Sequence, residues 1–261
     1  MVVPAEEGLL TTSGVRVLVA TAVTVERDAV ARAFDATDGN VTGQSADPRP
    51  SADTGPFDVI AAGVGPAASA ASVASALTTA ALRGTPYDLV VSAGIAGGFQ
   101  PEAPVGSLVI ADEITVADLG AETPDGFVPV TALGFGAVTH RPPETLVRDV
   151  TAATGARSGA VLTVSTVTGS AERAAELRAR HPGALAEAME GFGVAEAAAA
   201  HGVPVLEIRA VSNPVGPRDR AAWRIGDALT ALTEAFGKLG PVLESWNPHE
   251  HPREHPRDPA N

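Results

Sequence analysis

The sequence predicts a single α/β domain, with a mixed, mostly parallel central sheet flanked by helices. Three observations predict it. Apolar, β-branched runs of strand length recur along the chain, Ala-rich or amphipathic stretches of helix length alternate with them, and Gly/Pro clusters punctuate the joins. The chain has 261 residues, 45% of them hydrophobic, which is enough for one large core. The domain is expected over residues 14–246. Residues 1–13 and the Pro-, His- and charge-rich residues 247–261 read as disordered tails.

Taken in order, residues 15–21 form a β-branched run suited to a buried parallel strand. Residues 26–34 follow with helical spacing and place Ala29, Val30, Ala33 and Phe34 on one side. Residues 40–56 are polar and contain Pro and Gly, and read as a loop around at most a short strand. A second strand at 57–62 is broken by Gly63-Val64-Gly65-Pro66. An Ala-rich helix over 67–82 then stops at Gly84. A third strand at 87–93 runs into Gly94-Ile95-Ala96-Gly97-Gly98, which reads as a loop. Further strands are expected at 105–110, 114–117, 160–165 and 203–211. Helices are expected at 144–153, 171–180, 184–200 and 219–239, the last with Trp223, Ile225, Ala228, Leu229, Leu232 and Phe236 at core-like spacing. No internal repeat is visible.

Composition narrows the function classes. The formal charge is −13, which disfavours contact with nucleic-acid phosphates. The absence of cysteine removes disulfides and thiolate metal sites. Three of the six histidines (His249, His251, His255) sit in the C-terminal tail, and the others lack ligand spacing, so no metal is expected. No run reaches the ~18–20 apolar residues of a membrane span. The N-terminal residues, with Glu6 and Glu7, lack a basic start and an apolar stretch, so no signal peptide is expected and the chain reads as cytoplasmic.

Ligands of open α/β sheets sit at the carboxyl ends of the strands. Four places there carry chemistry. Glu26 follows the first strand; it reads either as an ordinary first-turn helix acid or as a site carboxylate. The 94–98 stretch reads either as a turn or as backbone shaped for close ligand approach. It is neither a dinucleotide fingerprint nor a P-loop. Glu190, in Met189-Glu190-Gly191-Phe192-Gly193, stands in apolar surroundings where an unpaired carboxylate is costly; the alternative is a wet helix face. Asn213, in Arg209-Ala210-Val211-Ser212-Asn213-Pro214, follows the last strand and offers both donor and acceptor, although Asn-Pro also marks turns.

The order of these stretches resembles the nucleoside phosphorylase/nucleosidase superfamily, and its hydrolase branch in particular, over about residues 15–239. Relatives that hydrolyse methylthioadenosine and adenosylhomocysteine carry a Glu-rich turn, S-A-G-G, M-E-A and R-A-I-S-D. Here Thr24-Val25-Glu26, Ile95-Ala96-Gly97-Gly98, Met189-Glu190-Gly191 and Arg209-Ala210-Val211-Ser212-Asn213 stand in their places. The resemblance implies a nucleoside phosphorylase-like fold and a purine nucleoside substrate. It further implies no metal or organic cofactor, and a homo-oligomer (dimer or tetramer).

Residue by residue, the resemblance implies that Glu26 orients or deprotonates the attacking water and that Glu190, beside Met189, accepts from the ribose hydroxyls. Ile95, Ala96 and Gly97 would line the sugar and water site, Val167 and Thr168 would pack beside the purine, and Asn213 would handle the leaving base. Two departures stand out. Ile95 replaces a hydroxyl residue. Asn213 replaces the Asp of the adenine-acting relatives, and an amide suits a 6-oxopurine, whose O6 a carboxylate would repel. The Met189–Ala195 and Ser212–Asp219 stretches are most similar to the futalosine hydrolases, which release hypoxanthine on the route to menaquinone. Alternatives are another purine nucleosidase, a phosphate-dependent phosphorylase on the same fold, or a non-catalytic sensor. The turn at 22–26 has no glycine cradle for phosphate and presents a carboxylate instead, and a sensor needs neither Glu26 nor Glu190.

Overall fold

The computed structural model describes residues 15–38 and 55–246. The expected tails, and residues 40–54 of the polar stretch, lie outside the described residues. The strands are β1 (Val17–Thr21), β2 (Phe57–Ala61), β3 (Leu89–Gly98), β4 (Leu108–Val116), β5 (Gly120–Thr123), β6 (Gly126–Pro129), β7 (Thr139–His140), β8 (Arg157–Thr163), β9 (Ala184–Ala188) and β10 (Val205–Pro214). The helices are α1 (Thr24–Asp38), α2 (Pro66–Leu82), α3 (Glu144–Thr154), α4 (Ala171–Arg180), α5 (Gly191–Ala200) and α6 (Ile225–Ser245).

Strand alternation divides the core in two. In β1, Val17 and Val19 face one side, with Val30 of α1, Leu146 of α3 and Phe236 of α6. Leu18 and Ala20 face the other, with Val73 and Leu77 of α2 and Ala195 of α5. The result is one α/β domain, a sheet between two helical layers. Parallel pairs join β1 to β2 and β3, β10 to β3, and β8 to β4 and β9. Antiparallel pairs join β10 to β4 and β9 to β3. The chain β3–β10–β4–β8–β9 therefore returns to β3, and the sheet closes on itself beside the carboxyl end of β3. Among the described residues no helix is long and apolar enough to cross a membrane.

The structure corrects the sequence reading in four places. The 94–98 stretch is strand, not loop: β3 runs through to Gly98 because β10 pairs with it as far as Pro214 and β9 pairs with Gly97 and Gly98. The two strands expected at 105–117 are one, β4, carried past a register shift between Ala111 and Glu113. The Ala-rich segment 184–200 is not one helix. Its first part is β9, hydrogen-bonded on both edges, and only Gly191–Ala200 is helical. Ala has high helix propensity, but pairing between two strands overrides it. The helix expected at 219–239 begins only at Ile225. Before it lies a 3₁₀ turn at Arg220–Ala222, started by the Asp219 carboxylate, which accepts from Ala221 N at 3.1 Å. Trp223 is extended there, and Arg224 N donates to Ser212 O at 2.8 Å, which ties the segment back to β10. The β5–β6 hairpin and β7 have no counterpart in the sequence reading.

The helices on the α2/α5 side pack by close backbone approach. A Cβ placed on Gly193 of α5 would stand 2.1 Å from the carbonyl oxygen of Pro66, at the start of α2. Alanine normally favours a helix over glycine by about 1 kcal/mol. Here the overlap is with backbone, so overpacking of about 1–3 kcal/mol wins. Gly193→Ala is expected to lower the urea midpoint of unfolding, and an unchanged or raised midpoint would show that α2 and α5 can separate freely.

Candidate active site

The carboxyl ends of β1, β3, β9 and β10 converge on a cavity of about 390 Å³. Its walls include Glu26, Ile95, Ala96, Gly97, Val167, Thr168, Met189, Glu190 and Asn213, so the segments singled out in the sequence lie around one space. Glu187, Ser212, Arg218 and Trp223 also line it.

Glu26 is the third residue of α1 and is buried. Its Oε2 accepts from Ala22 N at 3.0 Å and Val23 N at 3.2 Å, the reach-back of an N-terminal helix cap. Its Oε1 accepts from Ile95 N at 2.9 Å, across on β3. The capping role and a site role therefore coexist in one side chain. A Cβ on Gly94 would stand 2.7 Å from Glu26 Oε1 and 2.8 Å from Arg209 Nη1, so only glycine leaves these groups their place.

Glu190 closes the turn between β9 and α5. Gly65 N, at a backbone φ of +88° that favours glycine, donates to Oε1 at 3.2 Å. Arg209 Nη1 faces Oε2 at 3.4 Å. Glu190 is therefore buried and paired, which is how a carboxylate is tolerated in apolar surroundings.

Arg209 owes its position to strand periodicity. Leu206, Ile208 and Ala210 of β10 face the α1/α6 side, so Glu207 and Arg209 face α5. Arg209 Nε donates to Glu207 Oε1 at 2.8 Å, and Nη2 donates to Ser92 Oγ at 3.0 Å. Burial works against its charge, but the carboxylates of Glu207, Glu190 and Glu26 overrule it and hold the guanidinium protonated. Burial pushes the Glu207 carboxyl upward, with Arg209 opposing. A Cβ on Gly191 would lie 2.2 Å from Glu207 Oε2, so glycine makes the room for this carboxylate.

Two of these further wall residues stand in elements that the sequence alone misassigns. Glu187 was counted within an Ala-rich helix. On β9 it instead points into the cavity, buried, and accepts from Thr168 N at 2.8 Å and from Thr168 Oγ1. Burial raises its carboxyl above the usual range, with the two Thr168 donors opposing. The signal was the alternation of Ala184, Ala186 and Ala188 around it, a period of two. Trp223 was assigned to a helix core, yet lines the cavity, with the Arg218 guanidinium 5.3 Å from its ring centroid. Asn213 pairs with Gly97 of β3 after a register shift in β10. Its Oδ1 accepts from Ser212 Oγ at 2.8 Å, and its Nδ2 donates to Pro214 O at 3.0 Å. Among the described residues no cluster of three His, Asp or Glu side chains is arranged to hold a metal.

A model of the phosphorylase superfamily matches residues 54–243. The futalosine hydrolase of Streptomyces coelicolor is 73% identical over 89% of this chain and 98% of its own length. The chain belongs to the phosphorylase superfamily and, within it, to the futalosine hydrolases. The futalosine hydrolase of Acidothermus cellulolyticus is 46% identical over 87% of this chain and 91% of its own. In three dimensions the futalosine hydrolase of Helicobacter pylori superposes with a TM-score of 0.68 at 16% identity, covering 87% of this chain and 98% of that one, a likeness of fold.

The buried charges give a stability expectation for this member of the family. Arg209→Met leaves Glu207 and Glu190 without their cation and is expected to cost about 3–5 kcal/mol in chemical unfolding. Adding Glu207→Met should recover part of that loss, because the second change removes an uncompensated buried charge. A double variant less stable than the single one would contradict the pairing.

Proposed function

We propose that this chain hydrolyses the N-glycosidic bond of futalosine, giving hypoxanthine and dehypoxanthine futalosine in menaquinone biosynthesis. In this reading it works in the cytoplasm as a homo-oligomer and needs neither metal nor organic cofactor. The observation that carries the reading is the pair of buried, separately anchored carboxylates, Glu26 and Glu190, on one cavity of a futalosine hydrolase-family chain.

Cleavage builds positive charge on the ribose and negative charge on the departing purine. Glu190, held at fixed orientation by Gly65 N and Arg209, accepts from the ribose hydroxyls, and its charge favours the cationic sugar. Glu26 takes a proton from water as the water oxygen bonds to the anomeric carbon and the bond to the base breaks. The purine leaves as its nitrogen is protonated from solvent, with the Asn213 amide donating to O6 and its carbonyl on the N7 side. Met189, Ile95, Ala96 and Gly97 form the wall around the sugar, and Val167 and Thr168 stand beside the base.

Water is favoured over phosphate on electrostatic grounds. Glu26, Glu187 and Glu190 all line the cavity against one lining arginine, Arg218, which lies against the Trp223 ring, while the buried Arg209 behind the wall is already shared between Glu190 and Glu207. An incoming phosphate dianion would meet like charge in a poorly screened space.

The test follows free hypoxanthine by chromatography after mixing the protein with futalosine in phosphate-free buffer, with inosine and methylthioadenosine in parallel. Release of hypoxanthine from futalosine without phosphate is expected. Release only after phosphate is added would make the chain a phosphorylase, and adenine freed from methylthioadenosine instead would overturn the base assignment. Glu26→Gln and Glu190→Gln are each expected to lower turnover by about 10²–10⁴ with the fold retained, and near-normal turnover would remove that residue from the mechanism.

A further inference from the structure

We infer that Glu187 is a second base-specificity residue, which accepts from the ring N–H of a 6-oxopurine on the opposite side of the base from Asn213. The inference rests on the purine-nucleoside reading above and adds to it the group that reads the base's N1 position.

The geometry is a single row across three strands. Glu187 of β9 pairs with Gly97 of β3, and Gly97 pairs on its other edge with Asn213 of β10. Paired residues on neighbouring strands project from the same face of a sheet. At about 4.8 Å per strand, Glu187 and Asn213 stand about 10 Å apart, with Gly97 between them. Gly97 contributes no side chain, and a Cβ there would lie 3.0 Å from Val215 Cγ2 and 3.4 Å from Asn213 Nδ2. Gly97 thus makes room for the Val215 side chain, and the row has an apolar floor with a carboxylate on one wall and an amide on the other. All three residues line the cavity. A flat bicyclic base fits this shape.

The donor count sets the sign of recognition. Thr168 N and Thr168 Oγ1 each donate to a different oxygen of Glu187, so both oxygens act as acceptors. An ionised carboxylate has about four acceptor positions, and Thr168 uses two of them. Those left open can take an N–H and nothing else. Hypoxanthine and guanine carry a proton on N1, whereas adenine presents a bare N1 lone pair. On the far wall, one amide hydrogen and one carbonyl lone pair of Asn213 are not taken by Pro214 and Ser212. The slot thus offers an acceptor at N1 and a donor at O6, the complement of a 6-oxopurine. With adenine each of these polar groups would be buried against its like, the arrangement that gives large discrimination.

The experiment measures inhibition constants of free hypoxanthine, adenine and 1-methylhypoxanthine against futalosine hydrolysis, for the wild type and for Glu187→Gln. In the wild type, hypoxanthine is expected to bind at least 10-fold more tightly than either other base. In Glu187→Gln that ratio should collapse from both ends. Hypoxanthine weakens about 10–100-fold, while adenine gains because the Gln amide can donate to its N1. A role confined to holding the Thr168 segment would weaken all three bases together and would overturn the inference. Equal binding of hypoxanthine and 1-methylhypoxanthine by the wild type would overturn it without any variant. Absence of futalosine hydrolysis by the wild type would instead reject the reading on which the inference rests.

Discussion

The interior of this protein is organised around one buried guanidinium. Arg209 stands on a central strand, 1% exposed, and binds Glu207, Glu190 and Ser92. An isolated charge at that depth would be prohibitive, so the surrounding chain is arranged to answer it. The answer constrains three segments far apart in sequence. Gly94 must lack a side chain to admit Arg209 and Glu26, and Gly191 must lack one to admit Glu207. Gly65 must take a positive φ to place its N–H on Glu190. In a chain of net charge −13, three glutamates around one arginine is a large local excess of negative charge. That excess agrees with the proposed cationic sugar transition state and opposes an anionic nucleophile.

Much of the fold was legible in the sequence because its signals are local. Residues 15–21 and 203–211 are β-branched runs that tertiary structure has no reason to overrule. Pro66 after Gly65, and Gly84 after the Ala-rich run, mark both ends of α2 within a residue or two. The errors share a different cause. Leu185, Ala186 and Ala188 have the helix propensity that Ala and Leu always have, and they become strand because β3 and β8 flank them with unpaired backbone. The glycines at 94–98 look like a turn in one dimension. In three dimensions they are the strand positions where neighbouring groups come closest. Nonlocal pairing supplies both facts, and a single sequence does not contain it.

The site was legible to a different degree. Glu26, Glu190 and Asn213 stand at the junctions of strand and helix, where a strand-end rule directs attention. Glu187 and Trp223 stand where the secondary structure was misjudged, and the two kinds of error are one. A residue assigned to the wrong element is given the wrong facing. Glu187 in a helix would have been one more solvated acid on an Ala-rich surface, whereas on β9 its facing is fixed by Gly97.

Closure of the sheet explains why these residues meet. A flat parallel sheet would leave the carboxyl ends of β3 and β10 open along one rim, with β9 on a distant edge. Because β9 swings back antiparallel onto Gly97 and Gly98, its Glu187 reaches the same row as Asn213, and Ala188 and Met189, which follow it in the cavity wall, lead directly to Glu190. One five-residue strand and the turn that follows thus bring both Glu187 and Glu190 to the cavity. Glu187 and Glu190 are separated by only two residues of chain, so a change that displaces β9 must disturb both together. This coupling also means that the glycine pair at the end of β3 governs the site while contributing no chemistry of its own. A Cβ on Gly98 would strike Ala103 O at 2.1 Å, and Gly98 itself pairs with Ala186 of the strand that carries Glu187.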